Sequence, residues 1–211
     1  MYFLIIGILF FCGFTSANLA EAVEFVAPAS PNDNLNIDLE QASEWYFGEL
    51  IGFPHTYSFK LTEPTEVGFS ILVPDVKGAS DNRGAIIVRK VTRGVEAVTR
   101  LKASETDWLE YKDKATNDEY RSGPHYKAEL PAGDYLIEVN TPDNIGKYVL
   151  RFNDGDSLAG LNYFLKLKTS LAIKRWHEKS ILSVIFTPLL FWPVMIVMTV
   201  FIFILYRRRY A

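Results

Sequence analysis

Residues 180–206 run SILSVIFTPLLFWPVMIVMTVFIFILY without one charged side chain, and the chain then turns to Arg207, Arg208 and Arg209. A helix needs about 20 predominantly apolar residues to cross the hydrocarbon core of a bilayer. The run exceeds that length and reads as a transmembrane helix over 180–206, followed by a short basic cytoplasmic tail, 207–211. Pro188 and Pro193 each lack a backbone donor and are expected to bend the span.

The start of the chain is expected to set the topology. Residues 1–14, MYFLIIGILFFCGF, are almost continuously apolar and lead into Thr15, Ser16 and Ala17. Such a run is short for a membrane span, and small residues after it fit a signal-peptidase site. Residues 1–17 are read as a signal peptide, cut after Ala17, with Ala20-Glu21-Ala22 as a second possible site. An uncleaved signal anchor is the alternative, because no Lys or Arg precedes the apolar run. Either way the middle of the chain is exported and the terminal arginines face the cytoplasm. The expected localisation is a single-pass membrane protein with its lobe periplasmic or extracellular. Cys12, the one cysteine, follows Phe11 rather than a small residue, which disfavours a lipoprotein signal. Without it the mature chain has no disulfide, so the lobe of about 140 residues must stand on its own hydrophobic core.

Charge is unevenly spread. Residues 18–156 carry 24 acidic and 14 basic residues, a balance of −10; residues 157–211 carry 8 basic residues and Glu178, a balance of +7. An acidic lobe sits on a basic stalk and tail. Phosphate backbones attract Lys and Arg, so nucleic acid is not an expected partner. Anionic headgroups are the natural partner of the stalk.

Period-2 alternation makes the lobe a β-protein. Tyr57, Phe59 and Leu61 alternate with polar residues, as do Val67, Phe69, Ile71 and Val73. Residues 85–88 and 97–101 add two further strands, and Tyr135, Ile137 and Val139, then Tyr148, Leu150 and Phe152, repeat the pattern. Turn residues fall between the runs, as at Pro131-Ala132-Gly133-Asp134 and Pro142-Asp143-Asn144. Seven or eight short strands with this punctuation read as an antiparallel, jelly-roll-like β-sandwich over 45–155. Residues 18–44 read as an extended leader with a short helix near 38–45.

Two stretches carry a resemblance. LPAGDYLIEVNTPDNIGKYVLRF, residues 130–152, resembles the closing hairpin of the bacterial pre-peptidase C-terminal domain, where an "lpaGtYyirV" strand precedes a turn and a "Y-x-L-x-v" strand. HTYSFKLTEPTEVGFSILVPD, residues 55–75, is similar to that family's first pair of strands. The resemblance implies a small jelly-roll-like sandwich acting as an accessory module, and no catalysis. The overall plan is also similar to the GOLD-type cargo adaptors of the early secretory pathway. The paired cysteines and the dilysine and diphenylalanine tail signals of those proteins are missing here.

Residues 156–179, DSLAGLNYFLKLKTSLAIKRWHEK, read as a basic amphipathic neck helix. One reading lays it in the membrane interface, with Lys166, Lys168, Lys174, Arg175 and Lys179 among headgroups and Trp176 and His177 at headgroup depth. Tyr206, Arg207, Arg208 and Arg209 then mark the opposite boundary. The other reading packs the helix under the sandwich.

No constellation specifies a reaction. His55, His125 and His177 have no zinc-ligand spacing, and no nucleophile elbow, phosphate loop or dinucleotide fingerprint occurs. His55 and His125 read as solvated or turn positions. The Asp- and Asn-rich loops at 142–144 and 153–157 read as turns rather than calcium sites. Trp45, Tyr46, Phe47, Trp108 and Tyr111 read chiefly as core or sheet-edge cover. No catalytic residue, metal or cofactor is expected. Two functional readings remain: a non-catalytic, membrane-tethered module binding a protein or surface polymer, and an accessory subunit of a membrane complex docked through its neck and span.

Overall fold

The computed structural model describes residues 23–37, 39, 45–76, 83–91, 94–153 and 156–210. The expected signal peptide, the start of the leader and most of the short helix expected near 38–45 lie outside these residues.

Among the described residues eleven strands form two facing sheets. One sheet contains β1 (Val23–Val26), β3 (Trp45–Ile51), β5 (Thr65–Pro74), β8 (Leu109–Lys112), β9 (Glu119–Leu130) and β11 (Ile145–Phe152), in the order β1-β3-β11-β5-β9-β8. The other contains β2 (Asn34–Asn36), β4 (His55–Leu61), β6 (Gly84–Val91), β7 (Gly94–Leu101) and β10 (Gly133–Asn140), in the order β2-β4-β10-β6-β7. The alternating runs seen in the sequence are β4, β5, β10 and β11, and the sandwich is as expected. It is not wholly antiparallel. β1 runs parallel to β3 and β2 parallel to β4, each at a sheet edge. These two strands come from the segment read as an extended leader, so that segment completes both sheets.

Between the sheets lies a core that includes Tyr46, Phe59, Phe69, Ile71, Ile137 and Leu150. Period-2 alternation delivers these side chains to one face of each strand. Two tyrosines bring their hydroxyls into that core and satisfy them together. Tyr148 lies 2.7 Å from Tyr57 through their hydroxyls, and 2.8 Å from Nδ1 of His55. His55 is therefore buried, not solvated, because a buried hydroxyl needs a partner.

A second apolar cluster covers the opposite face of the six-stranded sheet. Trp45, Phe47, Tyr120 and Val149 point there and meet Leu158, Leu161 and Ile173 from the C-terminal region. A sheet buried on both faces loses its polar alternation. That is why β3, reading WYFGELI, carries no period-2 signal.

Helix α1 (Tyr163–Trp176) supplies this cover. Asn162 starts it, its side-chain oxygen accepting the Leu165 N–H at 3.0 Å. Lys174 and Arg175 in its last turn suit the partial negative charge of a helix C-terminus. A 3₁₀ turn, Ile181–Phe186, leads to α2 (Pro188–Tyr210). The long helix thus begins at Pro188, where a missing N–H costs nothing, and only Pro193 lies inside it. It continues through the arginines expected to end it.

Candidate functional site

Two places gather chemistry: the junction of neck and sandwich, and a cleft on the sandwich side.

The junction is built on the turn between β8 and β9. Asp113 is wholly buried and accepts the Thr116 N–H at 3.1 Å and the hydroxyl protons of Thr116 and Ser157. The turn is thereby closed and tied to the start of the neck. Asp118, also buried, takes the Lys174 ammonium at 2.9 Å and the Lys179 ammonium at 2.8 Å on the same oxygen. Lys174 donates as well to the Thr116 carbonyl at 2.7 Å. Burial works against the charged form of Asp118, but the bonds from Lys179 and Lys174 outweigh it and hold the carboxyl below its usual range. On the other side Lys147 reaches the Trp176 carbonyl at 2.8 Å and the Glu178 carboxylate.

His177 fills the space between. Its ring meets Tyr120 edge-on at 4.9 Å and Trp176 at 5.1 Å. Neither of its ring nitrogens has a hydrogen-bond partner among the described residues. Burial lowers its pKa to about 4, against the opposing pull of Asp118.

The residues expected among headgroups therefore divide. Lys174 is 3% exposed and bonded inside the protein, and His177 is likewise enclosed. Trp176 packs edge-on against Phe47 at 5.0 Å. Lys166 and Lys179 are partly covered, while Lys168 and Arg175 face outward. Tyr206, Arg207, Arg208 and Arg209 stand exposed on the last turns of α2. The neck packs on the sandwich because its apolar residues find a sheet face of tryptophan, phenylalanine and tyrosine, and the two lysines find a buried carboxylate.

The cleft, about 690 Å³, opens where the segment joining β7 to β8 crosses from one sheet to the other. Its wall includes Glu105 from the 3₁₀ turn Ala103–Glu105, and Trp108 anchors that turn by donating its indole N–H to the Ala103 carbonyl at 3.3 Å. The Trp108 ring lies flush on Gly123, where a Cβ would collide with it. Between Ser70 and Leu72 the β5–β9 register shifts by one extra β9 residue, at Gly123-Pro124. A bulge suits Pro124, which has no N–H to give the ladder. Arg151 lies on the floor, 7% exposed. Its guanidinium sits over the rings of Tyr111 at 4.8 Å and Trp45 at 5.9 Å, and Nε donates to Ser70 Oγ at 3.1 Å. Arg100, Lys102, His125 and Lys127 line the sides together with Glu105 and Asp107. The sequence pattern assigned no binding role to these residues, reading His125 only as a solvated or turn position; they lie on separate elements, and only the crossover brings them together.

The Asp- and Asn-containing loop at 142–144 behaves as a turn. Asp143 accepts from Thr141 Oγ1 at 2.8 Å and from the Ile145 N–H at 3.2 Å, and Asn144 takes a positive φ of 50°. Among the described residues no three His, Cys, Asp or Glu side chains gather as a metal site.

Fold and site define a β-sandwich lobe joined by a packed neck helix to a helix long and apolar enough to cross a membrane. No family model and no curated protein matches the sequence. Among solved structures the chain is similar to the pre-peptidase C-terminal domain of collagenase from Bacillus anthracis. That likeness has 12% identity and a TM-score of 0.34, and covers 62% of this chain and 94% of that one. It is similar also to CorA, a surface-associated copper-binding protein of Methylomicrobium album BG8, at 7% identity and a TM-score of 0.33, over 57% of this chain and 97% of that one. A β-glucosidase from Paenibacillus barengoltzii shares 12% identity at a TM-score of 0.28, over 61% of this chain and 13% of its own length.

Proposed function

We propose that this chain is a non-catalytic binding module, tethered to a membrane by α2, with its sandwich on the extracytoplasmic side, where it binds a protein or a surface polymer. The observation that carries the reading is the junction. The neck is bonded to its own lobe by Asp118, Lys174 and Lys179 and buries Leu158, Leu161 and Ile173 against it, and Ala115 and Leu158 share a small pocket with Pro188 and Leu189 at the start of α2.

Support for tethering comes from α2 itself. None of its residues is buried by the rest of the chain, and Leu182 and Phe186 just before it are each 70% exposed. An apolar surface of this extent is costly in water and at home in lipid. Lys166, Lys168 and Arg175 are then placed to meet headgroups on the lobe side, and Tyr206, Arg207, Arg208 and Arg209 on the other.

The test is affinity isolation of the full-length protein from its native membranes in mild detergent, repeated with α2 replaced by a polyleucine helix. A partner or polymer recovered equally with both supports a module that binds through its lobe. A protein partner lost with the polyleucine helix would make this chain a subunit docked through its span.

A further inference from the structure

The cleft beside β9 gathers basic side chains within a lobe that is acidic as a whole. The lobe carries 24 acidic and 14 basic residues, yet the cleft is lined by Arg100, Lys102, Lys127 and Arg151 against Glu105 and Asp107. Four of the 14 basic side chains converge on one opening, with His125 among them. We infer that this cleft binds an acidic, hydroxyl-rich surface polymer through its carboxylate or phosphate groups. The inference rests on the binding-module reading and names the ligand class.

The cations have distinct parts. Arg151, 7% exposed and held by two aromatic faces and the Ser70 hydroxyl among its bonds, adds positive charge beneath the opening. Arg100 is exposed on β7, and a planar guanidinium matches the fork of a carboxylate or phosphate better than a mobile ammonium does. The rim lysines are paired only at the surface. Lys102 meets Glu105 at 2.6 Å and Lys127 meets Glu66 at 3.0 Å, and all four side chains are at least half exposed. Exposed pairs of this kind contribute little, so exchanging Glu105 or Glu66 for a ligand anion costs little.

The backbone argues against an acidic peptide. Peptides commonly join a sheet by adding a strand to a free edge. Here the bulge at Gly123-Pro124 interrupts the β9 ladder, and the 3₁₀ wall lies against the opening. Recognition is left to side chains. Ser122 and Asn153 add a hydroxyl and an amide, the groups that pair with polyol hydroxyls.

The experiment uses the full chain in nanodiscs of neutral lipid. Binding is measured for polygalacturonate, a glycerol-phosphate polymer, neutral dextran and polyglutamate. Variants are R100E/K102E and, as a control that reverses one charge on an exposed strand position away from the cleft, K60E. The expected result is binding of the carboxylate or the phosphate polymer, the stronger one naming the anion. Affinity should fall about tenfold or more in R100E/K102E and stay within about twofold in K60E, a tenfold change being that of one or two surface contacts. Equal loss in K60E, or polyglutamate bound as tightly as the polymers, would overturn the assignment. Absence of anionic-polymer binding would overturn it too. Dextran binding indifferent to R100E/K102E would overturn the anion assignment while leaving the binding-module reading intact. A melting temperature unchanged by R100E/K102E shows that the fold is not what was lost.

Discussion

The carboxylate of Asp118 and the ammonium of Lys174 meet at 2.9 Å with their side chains 0% and 4% exposed. One lies in a turn of the sandwich, the other 56 residues later in the neck. Their bond clamps a helix to a sheet, and breaking it strands a charge. Removing one partner of a buried pair typically costs about 3–5 kcal/mol. Asp118→Ala should therefore lower stability by about that amount, and Lys179→Ala, which removes a partly exposed partner, by about 1 kcal/mol or less. Joint replacement by Asp118→Leu and Lys174→Met should recover much of the loss. Denaturant unfolding of the detergent-solubilised protein, followed by tryptophan emission, measures all three.

Acid should loosen the same junction in two stages. The pKa of His177, lowered to about 4 by burial, lies below the ordinary 6.5, so the unfolded chain binds this proton first. Stability then falls as pH drops from 6.5 to about 4, by about 3 kcal/mol at most. Asp118, held below its ordinary 3.8 by the two lysines, adds a further loss only below that pH. Melting temperature against pH should show both windows. His177→Phe should shrink the upper one to the share of His55, whose pKa burial also lowers, and leave the lower.

The neck completes the hydrophobic core of the lobe. A fragment of residues 23–156 lacks Leu158, Leu161 and Ile173, each of which is nearly or wholly buried on the outer sheet face. Burying an aliphatic side chain contributes about 1.5–3 kcal/mol, so the loss is large beside the margin of an ordinary domain. A fragment of residues 23–180 should be folded and monomeric. The shorter one should bind a hydrophobic dye and aggregate; light scattering and dye fluorescence compare them.

Gly123 holds the cleft wall in place by having no side chain. Gly123→Ala puts a methyl group into the Trp108 ring, displacing the indole from Ala103. Overpacking of this kind costs about 1–3 kcal/mol. The expected outcome is a lower melting temperature with a shifted tryptophan emission, and weaker polymer binding by the cleft.

Much of the sandwich was legible in the sequence because β4, β10 and the inner face of β5 alternate, and alternation needs only one buried face. β3 was not, since Trp45 and Phe47 face the neck while Tyr46 faces the other sheet. β9 was hidden by Gly123-Pro124, a breaker pair in sequence and a bulge in structure. β1 and β2 are short, and parallel edge strands depend on partners that no local pattern names. The buried Lys174 was read as a surface charge because its partner, Asp118, lies in a distant turn. The cleft was invisible for the same reason: Arg100, His125 and Arg151 stand far apart along the chain.

The proposed topology puts the lobe outside and the tail inside, joined by α2. The direct measurement is labelling of single cysteines in intact cells with a membrane-impermeant maleimide, in a Cys12→Ser background. Ser104→Cys lies exposed beside the cleft and Arg209→Cys at the end of α2. Labelling of Ser104→Cys in intact cells, and of Arg209→Cys only after permeabilisation, is the predicted result. Labelling of Arg209→Cys without permeabilisation, or protection of Ser104→Cys until the membrane is opened, would contradict the account.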